Sequence, residues 1–396
     1  MATVAPLSRK PTAREMLSGI KVVDVDTHVT EQWDLWQKRS PASLKARMPR
    51  VVEKDGKANW IIDEDTVLGN TCGFSAIMRD GSKVGGYGFL QRTVHEAHAG
   101  AYDTKARLAF MDENGIHAQL TYPNLLGFGA QKAMVIPEDL RVGAIEIYND
   151  AMAEMQADSG NRIFPMILLP WWNVRKSIAE AERCAAMGMR GININPEPHT
   201  QGVLPISDVH WDDLWHVCVE QKLPVNFHIG GSDTAVDWFH NSSWPGVSLD
   251  EKLMMGGVML FMGNLRIMGN ILLSRFLERH PQLKVVSVES GAGWIPYLTE
   301  ALEYLASENN VKFDVPLSEI FRRQIYACTF FERKNFVETI HQVGVDNVMW
   351  ESDYPHPACL YPGGLEYMEA ALVDMTQEER CKVFSTNAQR VYNLSI

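Results

Sequence analysis

Four short polar clusters carry the residues that could do chemistry. Asp26 and His28 lie two apart at the end of an apolar run, VVDVDTH. His228 closes the run PVNFH, just before Gly230 and Gly231. Glu289 closes LKVVSVE, and Ser290 and Gly291 follow it. Glu351, Ser352 and Asp353 follow NVMW, with Tyr354, Pro355 and His356 next. Imidazole together with carboxylate suits Zn²⁺, Mn²⁺, Fe²⁺ or Co²⁺. Residues two apart on an extended segment share a face, so Asp26 and His28 can reach one ion. Each residue alone has a plainer reading. A histidine after a strand packs in the core, and an aspartate there caps a helix. Four such groups at four run ends favour the metal. The expected ligands are Asp26, His28, His228 and Asp353. Glu289 is either a further ligand or a partner that orients the histidines. Glu31 is a further carboxylate for the same ion.

The elements that must position these groups alternate along the chain. Short β-branched runs stand at 20–26, 117–122, 163–169, 190–195, 224–228, 283–289, 325–330 and 347–350. Helical patterns lie between them at 104–114, 140–157, 174–186, 211–221, 259–278, 295–306 and 336–343. Eight strands separated by helices predict parallel pairing with right-handed crossovers. The expected fold is a (β/α)₈ barrel, whose strand ends converge on one pocket. An open doubly wound sheet is the alternative, but no GxGxxG follows the first strand. Residues 1–17 read as an N-terminal arm and 18–396 as the barrel. The 27–116 insertion holds Trp33, Trp36, Trp60, the GGYGF stretch and His95 and His98. A loop of that length is functional or carries its own structure, so it serves as a lid or as a packing subdomain. A second long segment, 230–257, follows the fifth strand and carries Trp238 and Trp244 as another lid.

The chain has 396 residues and a net charge of −12. That balance argues against nucleic acid, which needs clustered Lys and Arg. The six cysteines are scattered without a CxxC pair, which predicts reduced thiols in a cytoplasmic protein. The apolar stretch 256–277 is broken by Asn264, Arg266 and Asn270, and reads as a buried helix rather than a membrane span.

The segments VVDVDTH, VNFHIGG, ESGAGWIPY and MWESDYPHP together resemble the amidohydrolase superfamily, and within it the amidohydrolase-2 branch that holds aminocarboxymuconate semialdehyde decarboxylase. The likeness runs from about residue 20 to near the end of the chain. It implies a first-strand metal pair at Asp26 and His28, a fifth-strand ligand at His228 and an eighth-strand ligand at Asp353. It also implies a metal that lowers the pKa of water and polarises a substrate oxygen, with Asp353 as base. The implied function is hydrolysis or non-oxidative decarboxylation of a small organic acid or amide. Decarboxylases of this branch carry a histidine where this chain has Glu289, and a glutamate can replace it only if burial raises its pKa.

The carboxylate count opens an alternative. Asp26 and Asp353 already neutralise one divalent ion. Adding Glu289 and Glu31 crowds that ion with negative charge, which protonates a carboxylate. A second metal, about 3.5–4 Å from the first, removes the conflict. The site then resembles a dinuclear Fe/Mn-type oxygenase that hydroxylates a small substrate with O₂. The expected cofactor is therefore a divalent Zn, Mn or Fe ion, one or two per chain. A non-catalytic paralogue is the third class, and the intact ligand set argues against it. Asn193, Asn195, His356, Tyr122 and Trp172 are the candidate substrate contacts, with ordinary packing or local backbone satisfaction as the other reading of each. The aromatic insertions predict a homo-oligomer, or a hetero-oligomer with a paralogous subunit.

Overall fold

The structure, a computed structural model, describes residues 10–54 and 57–396. Its strands are β1 (Val23–His28), β2 (Arg50–Lys54), β3 (Lys57–Ile62), β4 (Thr66–Asn70), β5 (Ala118–Tyr122), β6 (Ile163–Pro165), β7 (Ile167–Leu168), β8 (Ile192–Asn193), β9 (Val225–His228), β10 (Val285–Val288), β11 (Ile325–Thr329) and β12 (Val348–Trp350). All eight expected runs form strands. The third divides at Met166 because its two halves pair differently. Met166 N donates to Thr121 O at 2.9 Å, whereas Ile167 N donates to Gly191 O at 2.9 Å.

The pairing is parallel throughout these runs. One sheet has the order β1-β5-β6 and the other β12-β11-β10-β9-β8-β7. They touch again beyond β12, where Asp353 N donates to Asp26 O (2.9 Å) and His28 N to Tyr354 O (2.7 Å). The fold is thus α/β with parallel sheets, and its ladders do not run unbroken around a ring. Val23, Val25, Leu120, Met166, Val286, Val288, Cys328 and Met349 fill the space that both sheets share. A larger apolar cluster packs helices on the outer faces. The helices follow from their caps as well as their apolar stripes. Thr104–Asn114 starts where Asp103 accepts from Ala106 N (2.8 Å) and stops at Gly115, which takes φ 72° in the left-handed region.

The insertion has structure of its own. β2, β3 and β4 form an antiparallel sheet that no sequence pattern announced. Trp60 of β3 packs edge-on against Trp36, whose indole N–H reaches Ala144 O at 2.9 Å. The sheet is thereby docked on helix Glu138–Asp158. After β9 come helices Asp233–Asn241 and Leu249–Leu273. The second is long and apolar enough to cross a membrane by length and composition alone. Its C-terminal half packs inside the protein through Ile267, Met268, Ile271 and Leu272, as the sequence reading expected; Leu249, Met254 and Val258 in the other half are exposed. Gly86 of the insertion lies so near Asp250 that a Cβ there would meet its carboxylate at 2.7 Å, so the two long segments touch. Of the expected N-terminal arm, residues 1–9 lie outside the described residues. Helix Ala13–Met16 is tied down by Ala13 N donating to Glu369 Oε1 at 3.0 Å.

Candidate metal centre

The first-strand pair is aimed by a fault in the strand. Val23 and Val25 belong to the shared apolar interior. The β1-β5 register then shifts between Asp24 and Thr27. Such a bulge re-aims side chains, and here it turns Asp26 and His28 inward together. His228 ends β9, Glu289 follows β10 by one residue, and Asp353 follows β12 by three. Every donor therefore stands at a C-terminal strand end.

His28 Nε2 lies 3.5 Å from Asp26 Oδ1, 3.5 Å from Asp353 Oδ1 and 3.8 Å from Glu289 Oε2. His228 Nε2 lies 3.1 Å from His28 Nε2, 3.2 Å from Glu289 Oε2 and 3.6 Å from Asp26 Oδ2. His356 joins from the other side, with Nδ1 3.0 Å from Asp353 Oδ1 and its ring stacked on His28 at 3.5 Å. Two groups of donors result: Asp26, His28, His228 and Glu289; and His28, Glu289, Asp353 and His356. Donors held about 2.1 Å from one ion stand about 3.0–3.5 Å apart, and the separations here, 3.0–3.8 Å, are close to that.

Both oxygens of Asp26 and both of Asp353 are buried without a hydrogen-bond partner. Unpaired buried carboxylates are costly, so the cluster fits a cation. His228 Nδ1 faces Ile229 O at 2.8 Å. A carbonyl only accepts, so that nitrogen holds the proton and Nε2 turns its lone pair to the centre. Burial, and then the carboxylates of Glu351 and Glu289, push Asp26 well above the usual carboxylate range. Burial and the neighbouring Asp353 do the same to Glu289, and burial raises Asp353 and Glu351. Burial lowers His28, and lowers His228 and His356 to about 3. Neutral imidazoles beside carboxylates that resist ionisation are what a metal-free divalent site should look like.

The structure thus brings together Asp26, His28, His228, Asp353 and Glu289. Glu31 stands outside both donor groups. Its Oε1 instead accepts from Asn124 N (3.0 Å) and Leu125 N (2.8 Å). His356, expected at the substrate, stands among the donors. Tyr122 lines the centre, its ring 5.1 Å from that of His228. Asn193 Nδ2 donates to Phe128 O, and Asn195 Oδ1 accepts from Glu197 N at 2.9 Å. Trp172 packs on Trp171 and under the Arg141 guanidinium instead of at the donors.

Several contributors escaped sequence reading. Phe128 covers the centre, its ring 5.1, 4.3 and 5.8 Å from those of His28, His228 and His356. Its flanking glycines, Gly127 and Gly129, were the available signal. Arg107, fully buried, donates to the backbone carbonyl of His28. Asp24 accepts from Ser352 N (2.8 Å) and Ser352 Oγ (2.6 Å), which fixes the turn before Asp353. Nothing in the spacing of Asp24 or Arg107 marks either role.

A family model described as amidohydrolase matches residues 23–394. The chain belongs to that family. No curated protein matches the sequence. Among solved structures it is similar to an amidohydrolase from Mycobacterium avium subsp. paratuberculosis K-10, at 20% identity and a TM-score of 0.74, over 94% of this chain and 99% of that one. It is similar to the 5-carboxyvanillate decarboxylase of Sphingomonas paucimobilis, at 18% identity and TM-score 0.64, over 95% and 100%. A third is the dihydroxybenzoic acid decarboxylase of Polaromonas sp. JS666, with bound manganese and 2-nitroresorcinol, at 15% identity and TM-score 0.59, over 94% and 97%. The amidohydrolase-family chain is therefore an enzyme, and its donors fit a divalent metal.

Proposed function

We propose that this amidohydrolase-family enzyme decarboxylates a small organic acid without an oxidant, using one divalent metal at the strand ends. The observation that carries the reading is the convergence of Asp26, His28, His228 and Asp353 with carboxylate oxygens that have no other partner. In this reading the two parallel sheets act as one (β/α)₈ barrel from residue 18 to 396, with the donors on its C-terminal rim. When bound, the metal supplies a Lewis acid that polarises a substrate oxygen and lowers the pKa of water. Manganese in the Polaromonas decarboxylase supports Mn²⁺ as the first ion to try.

The residues supply the rest. Loss of CO₂ leaves an electron pair on carbon, which must take up a proton. Glu289 can hold that proton because burial and Asp353 oppose its ionisation. It gives the proton to carbon and regains one from water, and the hydroxide left combines with the released CO₂ as bicarbonate, so the cycle balances. Phe128 and Phe74, 6.0 Å apart, offer apolar walls beside the donors for the body of the acid. The test is CO₂ release by the Mn²⁺-loaded enzyme from a panel that includes dihydroxybenzoate, 5-carboxyvanillate and small aliphatic acids. Release that stops on chelation and returns with metal is expected. Ammonia or amine release from the corresponding amides, with no CO₂ from any acid, would replace decarboxylation with hydrolysis.

One observation favours a second reading. The two donor groups share His28 and Glu289 but differ in their other members. Glu289 and His28 would then help to hold both of two ions, and two redox-active ions would suit hydroxylation with O₂. Elemental analysis separates the readings: one ion per chain supports decarboxylation, and two of Fe or Mn support oxygenation. All six cysteines are free, in line with a reducing, cytoplasmic setting. Exposed Trp244, Leu249 and Met254 support an oligomer.

A further inference from the structure

His356 has its ring orientation and its proton set from outside the metal centre. Asn124 Nδ2 donates to Val29 O at 2.9 Å. A carbonyl accepts only, so this contact fixes which end of the amide is nitrogen. Asn124 Oδ1 is then the atom facing His356 Nε2, at 2.8 Å. An amide oxygen accepts only, so His356 Nε2 must carry a hydrogen. Asn124 is itself held, since its backbone N–H and that of Leu125 both donate to Glu31 Oε1. Glu31, expected as a ligand, thus stands behind His356, linked to it through Asn124.

A neutral imidazole has one N–H, so Nδ1 of His356 is left with a lone pair. That nitrogen lies 3.0 Å from Asp353 Oδ1. Even so, Asp353 Oδ1 makes no hydrogen bond, with Nδ1 or with any other group. Two acceptor atoms 3.0 Å apart are spaced as neighbouring ligands of one cation are. The ring is buried, and it stacks on His28 at an interplanar angle of 18°, which opposes a second proton.

We propose that Asn124 is a positioning residue that holds His356 in its Nε2–H tautomer and so makes His356 Nδ1 a protein donor to the metal site, beside His28, Glu289 and Asp353. The inference rests on the reading of the strand ends as a metal centre, but not on which reaction it serves. Partners that orient a ligand typically cost about 10–100-fold in metal affinity when removed.

The test is the Mn²⁺ affinity of wild type, Asn124→Leu, His356→Ala and the double variant, by competition with a chelator. Each single change is expected to weaken binding about 10–100-fold. The double variant should bind no more weakly than His356→Ala, because Asn124 acts only through that ring. Wild-type affinity in a folded Asn124→Leu protein overturns the proposal, and so do losses that multiply. A measurement on the unaltered protein does not depend on how the variants fold. Histidine ¹⁵N spectra should put the His356 proton on Nε2 in the metal-free enzyme, and should move the Nδ1 resonance on Zn²⁺ addition. A proton on Nδ1 in the metal-free enzyme overturns the role of Asn124 whatever the metal does. Failure of wild type to bind Mn²⁺ or Zn²⁺ would instead sink the metal-centre reading itself, and the His356 assignment with it.

Discussion

Glu289 and Asp353 leave their strands through the same unusual backbone, with φ of 58° and 59°. Left-handed conformations cost a residue with a Cβ about 1–2 kcal/mol, and they persist where function requires them. Here the two turns bring carboxylates from the C-terminal ends of β10 and β12 to within 3.8 and 3.5 Å of one histidine nitrogen. Neither oxygen of Asp353 has a hydrogen-bond partner. Asp353→Asn keeps the shape and removes the charge, so the variant should fold, lose at least about 100-fold in metal affinity and show no turnover. Circular dichroism with metal titration checks this. Wild-type turnover in that variant would remove Asp353 from the site.

Glu289 divides the two functional readings. As proton donor it should be needed for turnover and not for the metal. Glu289→Gln should retain one ion per chain while losing about 10²–10⁴ in kcat, the usual worth of a positioned acid. Elemental analysis beside single-turnover CO₂ release measures both. A drop from two ions to one in the variant would assign Glu289 as a bridge and favour the dinuclear oxygenase.

Much of this site was legible because barrel-type chemistry sits at strand ends, and strand ends are where apolar runs stop. Asp26, His28, His228, Glu289 and Asp353 all stand at such stops. What could not be read depends on atoms brought together from distant segments. Asn124 and His356 are 232 positions apart and meet through one hydrogen bond. Asp24 carries no mark of its role in the sequence, yet it accepts from Ser352 N and Oγ and so holds the turn before Asp353. The β2-β3-β4 sheet was missed because β2 and β4 are mostly half-buried or exposed and show no clean alternation, and only the short β3 alternates, burying Ala58, Trp60 and Ile62. Trp172 drew attention as an aromatic after a strand, a position that packing fills as readily as substrate.

The buried acids predict how the metal-free protein responds to pH. Burial raises Asp24 to about 6, against about 3.9 for an unfolded aspartate. Its folded form keeps a proton that the unfolded chain has lost, so stability is highest below about pH 4 for this group and falls as pH rises through 6. The span is worth about 3 kcal/mol. Asp26, Glu289, Glu351 and Asp353 are raised in the same direction and add to the slope. Chelated enzyme should therefore melt at lower temperature at pH 8 than at pH 5.5. Saturating Mn²⁺ should reverse that order, since it binds the ionised carboxylates and stabilises the fold by mass action. Melting curves that are flat with pH in the chelated enzyme, or unmoved by Mn²⁺, would argue that these carboxylates do not share a site.

Phe128 governs access. His28 and His228 are buried, and the ring that lies over them is half exposed. Its backbone cannot give way easily. Gln131 Nε2 donates to Gly230 O at 2.8 Å and its Oε1 accepts from Gly129 N at 2.9 Å. A Cβ on Gly129 would strike Asn195 N at 2.6 Å, so the loop is pressed against the chain just past β8. Movement is left to the side chain, which must rotate about χ1 before an acid can reach the donors. Phe128→Ala removes the ring without touching a donor. It should speed removal of the metal by a chelator about tenfold or more, a change that a barrier lower by about 1.4 kcal/mol produces. It should also raise KM for any acid that uses the ring as a wall, while Mn²⁺ affinity at equilibrium falls much less than removal accelerates. Stopped-flow chelation beside equilibrium titration separates the two effects. Unchanged removal kinetics would mean that ligands enter by another route, past Glu289, the donor with the largest remaining exposure.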